Sequence, residues 1–210
     1  MTRWVYSPCV EPLAHLAEAI TGYLGTVDDG AQSALAAIEH LRRSVLAATV
    51  RQTFRASAPP PHYATLLAAS IRSAKEARTG AIGAALAALP EPLPWFYHYA
   101  PRPGTDLAAK IGFAELIGPD GPMQAPQCRV GFTLVAADTL YPMHSHPAVE
   151  LYLVIAGQAQ WCTPESQRVV PEGDFVLHPS GQPHAMQTFA EPLLALYSWS
   201  GDLETPAVYN

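Results

Sequence analysis

The stretch Tyr141-Pro-Met-His-Ser-His-Pro-Ala-Val-Glu-Leu-Tyr152 governs the reading of this 210-residue chain. Side chains on a β-strand alternate between faces, so residues two apart point the same way. His144, His146, Glu150 and Tyr152 can therefore share one face, aimed into a barrel. Four of the eight histidines lie between 144 and 184. His184 follows the Ser180-Gly-Gln-Pro183 turn and can arrive from a neighbouring strand. Imidazoles with one carboxylate suit one divalent transition metal (Zn, Fe, Mn or Ni) and leave positions open for substrate. A lone His-x-His pair is more often surface decoration, so the surrounding sequence has to carry the reading.

That surrounding half is stranded. Runs rich in β-branched and aromatic residues at 130–136, 151–155, 175–177 and 193–199 alternate with Pro/Gly turns. This spacing predicts an antiparallel sandwich or barrel. The first half has a helical period instead. Leu13, Leu16, Ala17, Ile20 and Leu24 fall on one helix face, which Gly25 and the Asp28-Asp29-Gly30 turn end. Leu35, Ile38, Leu41 and Val45 mark a second helix, stopped by Pro59-Pro60-Pro61. A third is expected from about Tyr63, with Leu67, Ile71 and Ala74 on one side, continuing weakly through Leu89. Pro90-Glu-Pro-Leu-Pro94 then forms a stiff break before the aromatic cluster Trp95, Phe96, Tyr97 and Tyr99. The expected fold is α+β. Residues 1–92 are a helical N-terminal region packing on a barrel, and 93–210 are an antiparallel β-barrel that binds metal.

Composition bounds the rest. At 49% hydrophobic and 14% charged, the chain is too apolar for disorder and long enough to bury a core. Its 21 prolines are clustered, which marks turns and breaks rather than a repeat. The net charge of −6 argues against nucleic acid. It is unevenly placed, at +1 over residues 1–100 and −7 over 101–210. MTRWVYSPCV holds no long apolar run, and the uncharged stretch 81–89 is too short for a bilayer. Cys9, Cys128 and Cys162 are scattered, without a CxxC pair. A cytoplasmic protein with reduced cysteines and no membrane or nucleic-acid partner is expected.

His144 to Gly157 reads H-x-H-x3-E-x6-G, and Gly173 to His184 reads G-x5-P-x-G-x2-H. Both match motifs of the cupin superfamily, which implies a double-stranded β-helix barrel. Thr188 stands where the general pattern ends in Asn, a position that is not a ligand. His178, inside the second motif, reads as a solvated or hydrogen-bonded strand-end histidine. A narrower likeness rests on the opening stretch together with Pro171-Glu-Gly-Asp-Phe-Val-Leu-His-Pro-Ser-Gly-Gln-Pro-His-Ala-Met186 and Glu191-Pro-Leu-Leu-Ala-Leu-Tyr-Ser-Trp199. Gly112-Phe-Ala-Glu-Leu-Ile-Gly-Pro-Asp-Gly-Pro122 extends it upstream. These runs resemble the cupin-type dimethylsulfoniopropionate (DMSP) lyases of the DddL/DddQ kind, over most of residues 95–210. The helical N-terminal extension also looks like that family.

The resemblance implies a carbon–sulfur lyase that splits DMSP into dimethyl sulfide and acrylate by β-elimination. It implies metal ligation by His146, Glu150 and His184, with His144 a fourth candidate, and it implies Tyr152 as the base. Tyr141 and Trp199 match positions lining the substrate pocket. A free tyrosine has a pKa near ~10, which a neighbouring cation lowers. The substrate would be a small zwitterionic sulfonium, a soft cation that favours aromatic faces. Tyr141, Trp161, Tyr197 and Trp199 are available for that end. A cupin dioxygenase or isomerase acting on another small carboxylate or diol is an alternative, as is a non-catalytic binder. The N-terminal helices either cover the barrel mouth, mediate a homodimer, or both.

Overall fold

The computed structural model describes residues 3–6, 10–27, 34–56, 59–75, 77–100 and 104–210. Cys9 and the Asp28-Asp29-Gly30 turn lie outside the described residues. Two antiparallel sheets make up the second half. One has seven strands in the order β11-β8-β13-β6-β4-β5-β2. Its members are β2 (Thr49–Val50), β4 (Ile111–Ile117), β5 (Met123–Gln124), β6 (Arg129–Val135), β8 (Val149–Ala156), β11 (Phe175–His178) and β13 (Leu193–Ser200). The other has five, in the order β10-β9-β12-β7-β14. These are β7 (Leu140–Ser145), β9 (Gln158–Cys162), β10 (Gln167–Pro171), β12 (His184–Thr188) and β14 (Val208–Tyr209). Among the described residues one strand pairing is parallel, joining β4 to β5 at Ile117 and Met123. With its helices, the chain has an α+β architecture whose second half is built of antiparallel strands, as the strand pattern predicts.

Alternation along the strands creates two cores. On β8, Leu151, Leu153 and Ile155 join the apolar cluster shared with the helices. Their neighbours Tyr152 and Val154 join a second cluster with Trp161, Val176 and Met186. β13 divides in the same way, with Leu194 and Leu196 on the helix side and Leu193 and Ala195 on the other. A strand covered on both faces has no reason to alternate in polarity, which explains the near-continuous apolar run from Leu151 to Ala156. Gly157 ends that run at φ +79°, a conformation that suits glycine. A Cβ there would collide with the Pro192 carbonyl.

Four helices share a core with the seven-stranded sheet, α3 and α4 lying directly against it: α1 (Val10–Leu24), α2 (Leu35–Ala47), α3 (Pro61–Ser73) and α4 (Ala77–Ala87). Leu13, Leu16, Ile20 and Leu24 of α1 are buried, as are Ile38, Leu41 and Val45 of α2, matching the helical spacing. Each such side chain contributes roughly 1.5–3 kcal/mol on burial. α4 packs on β8, and α1 packs on α4. The third helix does not run through to Leu89. It ends at Ser73, where Ala74 turns to extended backbone (ψ 126°). The Glu172 carboxylate accepts the Lys75 backbone N–H at 3.0 Å and the Thr79 hydroxyl at 2.8 Å, tying the break to the barrel. The first half also holds strands its helical period does not announce: β1 (Arg3–Tyr6) pairs with β3 (Thr53–Ala56), and β2 joins the large sheet.

Thr188 takes over a structural task at the departure from the motif. Its buried hydroxyl accepts the Thr139 backbone N–H at 2.9 Å and donates to the Ala136 carbonyl, fastening the entry to β7. Cys128 and Cys162 are both free. No helix among the described residues is long and apolar enough to cross a membrane.

Candidate metal centre and its cavity

Three strands and one turn converge on a buried cluster. β7 carries His144, and His146 follows directly after its end. β8 carries Glu150 and Tyr152. β12 begins with His184, which pairs in register with His144. One ligand atom from each of His144, His146, Glu150 and His184 lies within 4.8 Å of the others, and all four residues are buried.

The imidazoles are oriented from behind. Nδ1–H of His144 donates to the Pro142 carbonyl at 2.9 Å, that of His146 to Ala148 at 3.1 Å, and that of His184 to Gln182 at 2.9 Å. A carbonyl oxygen only accepts, so each Nδ1 holds the hydrogen, and Nε2 is the nitrogen free to coordinate. His146 Nε2 lies 2.8 Å from Glu150 Oε2. His184 Nε2 lies 3.1 Å from the same oxygen, but out of line for a hydrogen bond, and is otherwise buried without a partner. The remaining oxygen, Oε1, accepts the indole N–H of Trp199 at 2.8 Å. An unpartnered buried nitrogen, backbone-fixed imidazoles and one carboxylate fit a single divalent transition metal, and the cluster can hold one.

Charge in the cluster follows from burial and proximity. Burial, reinforced by His184, pushes His144 down to about 3. Burial disfavours charge on Glu150, yet the imidazoles of His146 and His184 outweigh it and hold this carboxyl well below its ordinary range. His146 moves the other way: burial opposes its charge, but the hydrogen bond to Glu150 prevails and raises it. Burial, and then the Glu150 charge, keep the Tyr152 hydroxyl well above the ordinary tyrosine value.

A cavity of about 210 Å³ opens onto the cluster, and its walls include Tyr141, Tyr152, Tyr197 and Trp199. Tyr141 stacks on His144 at 4.1 Å and 10°, and its hydroxyl is hydrogen-bonded to that of Tyr99. Gly131 leaves room for Tyr197, since a Cβ there would stand 2.6 Å from the phenol oxygen. Trp161 does not line the cavity. It sits behind Tyr152 with ring centroids 5.7 Å apart. His178 also stands behind the wall, stacked on His184 at 3.9 Å and 9°. It is buried rather than solvated, with Nδ1 at 3.0 Å from the Gln182 side-chain oxygen. Residues without an assigned role in the sequence also face the cavity: Phe96, His98, Tyr99, Phe113, Thr133 and Arg129. The cluster at 95–99 was visible there as aromatic, but nothing indicated which rings turn toward the barrel.

Comparison with known proteins finds relatives of this chain. The family model for dimethylsulfoniopropionate lyase matches residues 32–195. Dimethylsulfoniopropionate lyase DddQ of Ruegeria pomeroyi is 39% identical over 108 residues, 51% of this chain and 54% of that protein. The putative dimethylsulfoniopropionate lyase DddL of Cereibacter sphaeroides is 36% identical over 122 residues, 57% of this chain and 51% of the other. The matched segment thus spans about half the length of these curated relatives. The crystal structure of DMSP lyase DddQ from Ruegeria pomeroyi superposes with a TM-score of 0.66 at 27% identity, over 88% of this chain and 98% of that one. A structure from work on the DMSP lyases RdDddP and RnDddQII shares the fold with a TM-score of 0.78 at 24% identity, over 95% and 98%.

Proposed function

The chain belongs to the dimethylsulfoniopropionate lyase family, and on that basis we propose that it cleaves DMSP to dimethyl sulfide and acrylate by metal-dependent β-elimination, with Tyr152 as the base. The observation that carries this reading is the placement of Tyr152 two residues beyond Glu150 on one strand, both lining the cavity together with His144 and His146 of the cluster.

His144, His146, Glu150 and His184 would hold the ion. Bound there, a divalent cation supplies positive charge that polarises a substrate carboxylate and lowers the Tyr152 hydroxyl from the high value that burial and Glu150 impose. The Tyr152 oxygen takes the proton from the carbon next to the carboxylate. The electron pair of that C–H bond becomes the new double bond as the carbon–sulfur bond breaks. Dimethyl sulfide leaves neutral, so no strong general acid is needed, and the proton stays on Tyr152 until solvent removes it. Tyr141, Tyr197 and Trp199 line the space beside the cluster and are well placed to exclude water.

Every residue lining the cavity falls between Phe96 and Ala207. This supports assigning the chemistry to residues 93–210 and a covering role to residues 1–92. The test is headspace detection of dimethyl sulfide from metal-loaded protein and DMSP. Release should disappear on chelation and return with added metal. Tyr152→Phe should keep its metal and lose turnover by at least about a hundredfold, the lower end for a general base. Near-normal turnover in that variant would remove Tyr152 from the role, and no sulfide from the wild type would overturn the reading.

A further inference from the structure

The aromatic segment after the proline break has a built position that the elimination does not use. Trp95 is buried against the helix-side core, with its ring 6.5 Å from Tyr63. The backbone of Phe96 is clamped to Phe113 by two hydrogen bonds, Phe96 N–H to the Phe113 carbonyl at 2.9 Å and the reverse at 2.8 Å. Phe96, His98 and Tyr99 line the cavity, while Trp95 faces the helix core. Phe96 is 41% exposed, and of the large exposed apolar side chains it alone lines the cavity among the described residues.

Phe113 lines the same cavity. Its ring is 4.2 Å from His98 and 6.1 Å from Tyr99. The cavity also carries charge at Arg129, whose guanidinium lies 3.9 Å from both Glu115 and Glu204. At that end a cationic ligand would meet a guanidinium already engaged by carboxylates, with Asp120 also in the wall, whereas the ring faces of Phe96 and Phe113 offer negative π density to onium methyl groups.

We propose that Phe96, backed by His98 and Phe113, forms a cation-recognising wall that selects carboxylates bearing a sulfonium or quaternary ammonium head over their neutral counterparts. The proposal rests on the lyase reading for its choice of ligand and deepens it to a specificity determinant. Phe96 acts by contact with the onium methyl groups and takes no part in proton transfer. Its clamp to Phe113 is through the backbone, so replacing the side chain leaves the segment held.

The test is calorimetric titration of metal-loaded protein with 3-(trimethylammonio)propanoate and with its uncharged-head isostere 4,4-dimethylpentanoate. The wild type should bind the cationic compound about tenfold more tightly, as one to two ring contacts predict. Phe96→Leu should bring the ratio close to one with the affinity for 4,4-dimethylpentanoate unchanged, and Phe96→Trp should restore it. Equal binding of the two compounds by the wild type, or an unchanged ratio in Phe96→Leu, would overturn the proposal. Sulfide release separates the two readings. Release without a charge preference sinks the wall and leaves the lyase standing; a charge preference without release does the reverse.

Discussion

Trp199 is joined to Glu150 through its indole N–H, at 2.8 Å from Oε1, while Oε2 faces His146 and His184. Its ring also lies 4.3 Å from that of His146. Removing the donor frees the carboxylate to rotate, and partners of this kind typically account for 10- to 100-fold in metal affinity. Trp199→Phe, which keeps most of the packing, is expected to bind metal about tenfold or more weakly in competition with a chelating indicator. Its circular dichroism should match the wild type. Sequence spacing marked the four residues of the cluster, but they do not share one strand face: His144 lies on β7 and Glu150 on β8 of the other sheet, with His146 in the connection between them and His184 on β12. The carboxylate's indole partner was not legible, since the two are neighbours only through the β13–β8 register that pairs Trp199 with Glu150. Tyr99 was hidden in the same way: its hydrogen bond to Tyr141 joins a linker to β7.

α3 is fastened to β4 by one side chain. The Tyr63 hydroxyl lies 2.6 Å from the Ala108 carbonyl and 2.8 Å from that of Ile111, and donates to this pair. Its ring lies over Gly112, where a Cβ would stand 2.8 Å from the ring edge. Burial, with a smaller push from Tyr97, raises this phenol to about 12. The folded state therefore favours the protonated form. The stability it adds is fully present below the unfolded value near ~10 and is lost as pH climbs from there toward 12. At pH 7, Tyr63→Phe should cost about 1 kcal/mol in urea denaturation, the net worth of a typical hydrogen bond. Between pH 10 and 12 its midpoint should fall less steeply than that of the wild type. The paired carbonyls could not be read from sequence, although the helix could. Apolar spacing located α1 and α2 well, because each buries one stripe. It ran α3 into α4, because the break is imposed by Glu172, 97 residues from Lys75. Strands as short as β2, with two residues, have too little pattern to be seen.

The helices and the large sheet share one apolar cluster, from Leu16 and Ile82 to Leu153 and Leu196. Leu153 is fully buried in it. Leu153→Ala is expected to cost 2–5 kcal/mol, the usual range for a truncated core leucine. Helix loss followed by far-ultraviolet circular dichroism should coincide with sheet loss followed by tryptophan fluorescence, as in a single cooperative transition. A helix signal that melts well before the barrel would contradict this. The longer helices of the first half and the main strands of the second were readable from their periodicities. The shared core was less so, because a run buried on both sides looks the same whatever covers it. Central to this arrangement is β8, whose residues from Leu151 to Ile155 face the two clusters in turn. Odd-numbered positions 151, 153 and 155 join the core shared with the helices, while even-numbered 150 and 152 line the cavity. Such a strand separates two kinds of selection by parity. A lineage, or a library randomised at the even positions alone, can explore new reactions while the residues that hold the helices to the barrel are inherited intact.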